Sequence, residues 1–266
     1  MVHKPKLGQH FLRSKYVLET IIKESQIEPT DTILEVGPGK GVLTEALLKK
    51  AGRVIAVEKD ARLVEHLRLL FSEALAEGKL VLVHADVRKI DFKKYNIVDG
   101  HFKLIANIPY YITGELLRLF FGGTCKPNHA VILIQKEVAW RIARSKKESV
   151  LSLSIRVYGT PRYAKTVSRK AFNPPPNVDS AVLVVSNISR ANFKKVSEPF
   201  FFTLIKQGFS QKRKLLLGNL RNIFPPQPLE AAFEILAIPE KIRAEDVPLE
   251  VWLPLATHLQ KEQTGV

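Results

Sequence analysis

With 266 residues, 45% of them hydrophobic, and a mean hydropathy of −0.02, the chain is long enough to bury one full α/β core and to spare residues for a small second domain. No stretch approaches the roughly 18 uninterrupted apolar residues of a membrane helix, and the start at Met1–Lys6 lacks a secretory apolar run, so no membrane partner is expected and the cytoplasm is the default location. The 41 Lys and Arg against 26 Asp and Glu leave a net charge of +15 and point to a polyanionic partner, while the lone Cys125 excludes an internal disulfide and a multi-cysteine metal cluster, so no metal is expected.

From Thr32 to about Ile188, β-rich runs alternate with helical patterns, as in a doubly wound sheet. The predicted strands are Thr32–Val36, Arg53–Val57, Lys79–Val83, Phe102–Ala106 and Ala130–Gln135, and the predicted helices between them are Val42–Lys50, Asp60–Leu75, Gly114–Phe121 and Glu137–Arg144. Two further β-rich stretches, Arg162–Ser168 and Ser180–Ser186, are expected to close the sheet with an antiparallel edge, and the proline-rich Phe172–Asn177 between them is expected to be a rigid loop because proline cannot donate to a ladder. Beyond Ser189 the pattern is helical, with Pro199–Ile223, Pro228–Leu236 and Pro248–His258 predicted as helices. A boundary near residue 190 therefore separates an α/β domain, 1–190, from an all-helical domain, 191–266. The first holds 31 basic and 18 acidic side chains and the second 10 and 8, which places the polyanion largely on the first.

The strongest local pattern runs from Ile33 to Thr44, an apolar strand leading through Gly37, Gly39 and Gly41 into a helix. Glycines let a backbone turn sharply and approach a ligand closely, and a following helix offers free N–H groups. The third glycine comes one residue earlier than in a dinucleotide fingerprint, so the turn is tighter than one that must hold a pyrophosphate. Glu58 ends the next strand 21 residues after Gly37, where a carboxylate can take both hydroxyls of an adenosine ribose, and Asp86 follows the third strand, where it can accept from an adenine amine. Each acid alone reads as a solvated strand end; together they outline one adenosine-shaped site.

The fourth strand ends in Asn107-Ile108-Pro109-Tyr110. An adenine amine is a poor nucleophile because its lone pair is delocalised into the ring, and it needs acceptors rather than a base. The Asn107 side-chain carbonyl and the Ile108 backbone carbonyl, held by the fixed φ of Pro109, can take both amine protons and aim the nitrogen lone pair at a methyl group, so that orientation supplies most of the rate. Tyr110 can stack on the extruded base, and Phe172 is a candidate second face that reads equally well as a core residue. Basic side chains near these motifs are Lys4, Lys6, Arg13 and Lys15 at the start and Arg141, Arg144, Lys146 and Lys147 after the fifth strand. Farther on, Lys206, Arg213, Lys214 and Arg221 are expected on one helical face, positioned for phosphates; a solvated helix face is the ordinary alternative.

Taken together, these motifs resemble the KsgA-type small-subunit ribosomal RNA adenine dimethyltransferases from about Lys6 to His258, through Gly8–Leu12, the Glu35–Thr44 turn, Asn107–Tyr110, Gln135–Glu137, Phe172–Ala181, the basic Phe209–Leu220 stretch and Arg243–Glu245. The resemblance implies a Rossmann-like class I methyltransferase sheet, S-adenosylmethionine as cofactor, and dimethylation of two adjacent adenines in a hairpin near the 3′ end of small-subunit rRNA. The partner would be that RNA or the assembling small subunit. A monomer is the default expectation, set by nothing in these motifs. Family cofactor contacts carry over to His10, Leu12, Gly37, Glu58, Asp86 and Asn107, and target-base contacts to Tyr110 and Phe172. The chain departs from the family at His10, where Asn is usual, at Ile108, where Leu is commoner, and at 147–152, which lacks a usual Tyr-Gly. Two other readings stand beside this one: a large-subunit rRNA methyltransferase of the erythromycin-resistance class, and a non-catalytic RNA-binding or transcription factor of the same fold. Phe172–Ala181 and Arg243–Glu245 fit the first reading better than the second, and intact Gly37, Gly39, Gly41, Glu58, Asp86 and Asn107 argue against the third.

Overall fold

A computed structural model of the chain describes residues 9–264. In chain order its strands are β1 (Phe11–Leu12), β2 (Thr32–Val36), β3 (Arg53–Glu58), β4 (Leu80–His84), β5 (Lys103–Asn107), β6 (His129–Gln135), β7 (Thr160–Val167), β8 (Phe172–Asn173) and β9 (Ser180–Ser186). Its α-helices are α1 (Lys15–Glu24), α2 (Val42–Leu48), α3 (Ala61–Leu70), α4 (Ser72–Ala76), α5 (Thr113–Gly122), α6 (Lys136–Ala143), α7 (Val150–Arg156), α8 (Glu198–Gly208), α9 (Leu216–Leu220), α10 (Pro226–Ile235) and α11 (Leu249–Thr264). None of the described helices is long and apolar enough to cross a membrane. Two compact units emerge: the chain up to Ala143 with Thr160–Ile188, and Arg144–Gly159 with Ser189 onward.

The first unit holds a seven-stranded sheet in the order β4-β3-β2-β5-β6-β9-β7. The first five strands are parallel and nearly continuous in apolar residues, since helices cover both faces: Ile33, Leu34, Val54, Ile55, Leu104 and Ile105 are all fully buried. β9 pairs antiparallel with both β6 and β7, so Ser180–Ser186 lies inside the sheet and β7 is the antiparallel edge. The chain leaves β2 towards β3 and β4 on one side and returns to β5 and β6 on the other, which opens a crevice at the carboxyl ends of β2 and β5. Register pairs Val36 with both Val57 and Ala106, so Gly37, Glu58 and Asn107 emerge together at that crevice.

The expected proline-rich loop is strand at its head. Phe172 and Asn173 form β8 and pair antiparallel with Leu12 and Phe11 before the prolines begin, and the Arg13 N–H extends the ribbon to the Ala171 carbonyl at 2.8 Å. Of the basic residues expected near the start, Lys4 and Lys6 lie outside the described residues, as does Gly8.

The helical unit differs from the expected single cut near 190, because Arg144–Gly159 belongs to it. Ser149 caps α7 in a reciprocal box with Ser152, the Glu148 N–H donates to the Glu245 carbonyl at 2.7 Å, and Tyr158 packs among Phe193 and Phe202 while its hydroxyl donates to Glu198. A second departure concerns the basic helix expected over 199–223. The helix stops at Gly208, an exposed turn follows, and α9 begins at Leu216, where the N–H donates to the Ile242 carbonyl at 2.9 Å. Asn219, 1% exposed, forces the break: its Nδ2 donates to the Gly208 carbonyl at 2.6 Å and to the Gln211 carbonyl at 3.2 Å. Lys206, Arg213, Lys214 and Arg221 are therefore exposed but do not share one helical face, and Arg221 is paired with Glu230 at 2.7 Å.

Candidate active site

Gly37, Gly39 and Gly41 all adopt positive φ, at 71°, 60° and 85°, which is the conformation that bends β2 into α2. The three differ in what else they do. At Gly37 a Cβ would approach the Asn107 carbonyl at 3.7 Å, and at Gly39 it would meet the Phe11 ring at 3.1 Å, so β1 lies directly on the turn. The Lys40 ammonium sits 5.0 Å from the centre of the same ring. Gly41 faces away: a Cβ there would strike Phe71 at 2.7 Å and Leu67 at 3.0 Å, and the residue does not line the cavity described next, contrary to its expected place in a ligand site.

A cavity of about 660 Å³ opens beside the turn, a volume suited to a nucleoside-sized ligand. His10, Leu12, Gly37, Gly39, Glu58, Asp86, Asn107, Ile108, Pro109, Tyr110 and Phe172 all line it. The ribbon of β1 and β8, the glycine turn, and the ends of β3 and β5 thus converge on one space, as carboxyl-end loops of parallel strands do. Arg141, on α6, points to its own helix and pairs with Glu137 at 2.8 Å, and Arg144 belongs to the helical unit.

The acids around this cavity are held differently. Glu58 is 8% exposed; its Oε1 accepts from the N–H groups of Lys59 at 2.8 Å and Asp60 at 2.9 Å, and its Oε2 from Gly39 at 3.2 Å. Three of about four acceptor positions are thereby used to shape the turn, which leaves one for a ligand hydroxyl rather than the expected two. Asp86 caps the short turn Val87–Lys89, and Arg88 bonds both its oxygens while Lys59 reaches Oδ2 at 3.2 Å. The Arg88 guanidinium holds that carboxyl far below its usual range, so a ligand amine has to share it with two cations. Asp60 caps α3 and is held low in the same way by Arg62.

Glu35 went unmarked in the sequence reading, although an acid inside an otherwise apolar strand is the signal that finds it. It is 1% exposed, lines the cavity beneath the glycine turn, and its Oε2 has no hydrogen-bond partner. Burial pushes its carboxyl up to about 8, the Thr44 hydroxyl beside it offsets part of that, and the Glu58 carboxylate adds to it. Tyr111 was missed as well: it lines the cavity and is 64% exposed, and only its place next to Tyr110 marks it.

At the end of β5 the Asn107 Nδ2 donates to the His10 carbonyl at 3.2 Å, and the Ile108 N–H donates to Leu133 at 3.1 Å. The Tyr110 ring lies 5.8 Å from that of His10 with 36° between planes, and its hydroxyl is hydrogen-bonded to Ser180 Oγ at 2.5 Å; burial raises the pKa of that hydroxyl. Phe172, on β8, is only 4% exposed, so it forms wall rather than an open stacking face.

The sequence model of the family described as ribosomal RNA adenine dimethylase matches residues 2–261. A protein of Dehalococcoides mccartyi named ribosomal RNA small subunit methyltransferase A is 42% identical over 253 residues, 94% of this chain and 86% of its own. One of the same name from Fusobacterium nucleatum is 37% identical over 258 residues, 95% of this chain and 96% of its own. Among solved structures, a dimethyladenosine transferase from Plasmodium falciparum superposes with a TM-score of 0.80 at 26% identity, covering 97% of this chain and 99% of that one. A match over nearly the whole length, joined to a glycine turn and Asn107–Tyr110 on one cavity, leads to one conclusion: the chain belongs to the ribosomal RNA adenine dimethylase family.

Proposed function

We propose that the protein dimethylates the exocyclic amine of two adjacent adenosines in small-subunit rRNA, using S-adenosylmethionine, as a step of small-subunit biogenesis. The observation that carries this reading is that Asn107-Ile108-Pro109-Tyr110 and the glycine turn open onto the same cavity. The residues suit such a cofactor: the turn at Gly37 and Gly39 cradles without Cβ atoms, Glu58 keeps an acceptor for a ribose hydroxyl, and Glu35 Oε2 is a buried polar atom without a protein partner, ready to hydrogen-bond a ligand. His10, Leu12, Gly37, Gly39, Glu58 and Asp86 would hold it. When bound, S-adenosylmethionine supplies an electrophilic methyl group.

The chain's own part is to present the amine. Asn107 Oδ1 and the Ile108 carbonyl accept its two hydrogens, which localises the nitrogen lone pair and aims it across the cavity. Tyr110 stacks on the base, worth about 1–3 kcal/mol, and offsets part of the few kcal/mol that unstacking costs. Closing the base between walls such as Phe172 keeps water from the transfer. Arg141, Arg144, Lys206, Arg213, Lys214 and Arg221 contact RNA phosphates, the helical unit serving chiefly to position the RNA and the α/β unit to carry out the transfer. A monomer in the cytoplasm is sufficient for this role.

Incubating the protein with labelled S-adenosylmethionine and unmethylated small ribosomal subunits tests the reading. Label is expected on adenine, with mass spectrometry finding two methyls on each of two adjacent bases, and Asn107→Ala is expected to abolish transfer while cofactor binding persists. Label on large-subunit RNA, or RNA binding without transfer, defeats it.

A further inference from the structure

The chain has two tryptophans, and they are held in opposite ways. Trp252, in the helical unit, is fully buried, whereas Trp140, on α6, is 47% exposed. The residues that α6 buries are Ala139 and Ile142, so the indole stands on the outer face of the helix, with Lys136 one turn before it. A lone exposed apolar side chain is ordinary on a protein surface, and it is the placement of this one that carries meaning. The Lys136 N–H donates to the Asp179 carbonyl at 3.0 Å, Gln135 pairs with Ser180, and Ser180 Oγ is hydrogen-bonded to the Tyr110 hydroxyl at 2.5 Å. Helix α6 therefore springs from beside the Tyr110 face, and Trp140 lies one helical turn, about 6 Å, along it.

The surroundings are cationic. The Asp179 carboxylate accepts from the Arg169 N–H at 3.0 Å, which gathers the turn of Arg169 and Lys170 about the residue that anchors α6. Lys136, Arg169 and Lys170 are exposed, and among the described residues none of the three side chains is in a salt bridge, while Arg141 is neutralised by Glu137. The nearest helix neighbours of the indole on its outer face, Lys136 and Glu137, are charged, unlike the dry centre of a protein interface. A flat π-face among cations suits an unpaired nucleotide, because any base can stack on it and the cations take the phosphates. Resting on the functional reading above, we propose that Trp140 is a stacking platform for an unpaired base of the substrate RNA flanking the methylated pair, with Lys136, Arg169 and Lys170 on the adjoining phosphates. The indole takes no part in the methyl transfer. It grips the strand that leads to the cavity, and so offsets part of the cost of drawing the target adenosine out of its stack.

Because Trp252 is buried, Trp140 is the fluorophore that a bound base can reach. The full-length protein would be titrated with a single-stranded RNA of about ten nucleotides and with a fully paired duplex of the same length. Wild type is expected to lose emission on binding the single strand and to keep it on binding the duplex, whose bases are already stacked on one another. Trp140→Ala should weaken single-strand binding about fivefold to a hundredfold, the range of one base–aromatic stack, and leave duplex affinity within about twofold. Trp140→Phe should keep most of the single-strand affinity while removing the quenching, and thermal melting of both variants should stay near wild type. On unmethylated small subunits Trp140→Ala should raise KM by a similar factor, with kcat within about threefold. Equal quenching by both RNAs, none by either, or an equal loss of affinity for both in Trp140→Ala would overturn the proposal. So would a Trp140→Ala protein that binds the single strand normally yet turns over small subunits poorly, which would assign the indole to a protein of the particle. Emission that changes on dilution without RNA would assign it to a second copy of this chain and overturn the proposal equally. Wild-type protein that shows the quenching but transfers no methyl group would defeat the functional reading and leave this one standing.

Discussion

Glu35 sits between Leu34 and Val36 on a strand buried from Ile33 to Val36, and its position has a measurable consequence for stability. Neither its Oε2 nor the nearby Thr44 Oγ1 meets hydrogen-bond geometry with a protein partner, so burial dominates and raises the carboxyl from an ordinary 4.5 to about 8. A folded pKa above the unfolded one means that the native state binds the proton more tightly. Its favourable contribution is therefore complete below about pH 4.5 and is lost progressively as pH rises to about 8, at roughly 1.4 kcal/mol per pH unit while the native carboxyl stays protonated and the unfolded one ionises. Glu35→Gln keeps the volume and removes the titration. Urea unfolding of the cofactor-free protein between pH 5 and 8 should show a flatter profile for the variant, which should be more stable than wild type at pH 8 by about 2–4 kcal/mol. Parallel pH profiles would mean that Glu35 is already ionised in the folded chain. A native protein that tolerates such a group at the base of its cavity retains a site for a cationic or donor-rich ligand, in keeping with the activity proposed for it.

Where α8 ends, packing rather than propensity decides the structure. Gly208 is the last residue of α8, and a Cβ there would lie 2.4 Å from Trp252 Cη2 on α11 and 2.9 Å from Leu216 Cδ1 on α9. Gly208→Ala should gain up to about 1 kcal/mol of helix propensity but lose about 1–3 kcal/mol to overpacking against a fully buried indole, for a net loss seen as a lower urea midpoint. A raised midpoint would show that the three helices yield. The same contrast explains what could be read beforehand. The parallel strands were legible to within a residue at each end, because a strand covered on both faces must be a short, largely apolar run such as Val54–Val57, or Ile33–Val36 interrupted only by Glu35. Val150–Arg156 was not, since Leu151, Leu153 and Ile155 alternate with serine at the period of a strand, and only the Ser149–Ser152 box and burial on all sides make it a helix. The break at Gly208 escaped for a related reason: four basic residues spaced as on one helical face give no hint that Asn219 captures the carbonyls of Gly208 and Gln211. In the site, strand-end residues were legible as chain-order motifs. The outward turn of Gly41 against Phe71, and the capture of Asp86 by Arg88, depend on neighbours distant in sequence or on rotamers that no spacing records.

Charge takes on a different meaning once the two units are known. Cut at 190, the sequence places +13 on the first part and +2 on the second; with Arg144–Gly159 and Arg190 assigned to the helical unit, that unit carries 15 basic and 9 acidic side chains, +6, and the α/β unit 26 and 17, +9. The helical unit is thus at least as basic for its size, and it presents Lys212, Arg213 and Lys214 on an exposed turn braced by Asn219. Preorganised cations of this kind release counterions from RNA without first paying to order themselves. Binding to small-subunit RNA should weaken steeply with salt, by about 10³ to 10⁵ between 50 and 200 mM if six to ten phosphates are neutralised. Replacing Arg213 and Lys214 by alanine should reduce the slope of log K against log salt by about 1.4–1.8, that is about 0.7–0.9 for each lost contact, and should do so equally for RNA of unrelated sequence, because phosphate contacts position without reading bases. Asn219→Ala, which leaves every charge in place but frees the turn, should weaken binding at each salt concentration while keeping the wild-type slope. A flat salt response, or a double variant with an unchanged slope, would remove this turn from the RNA-binding surface.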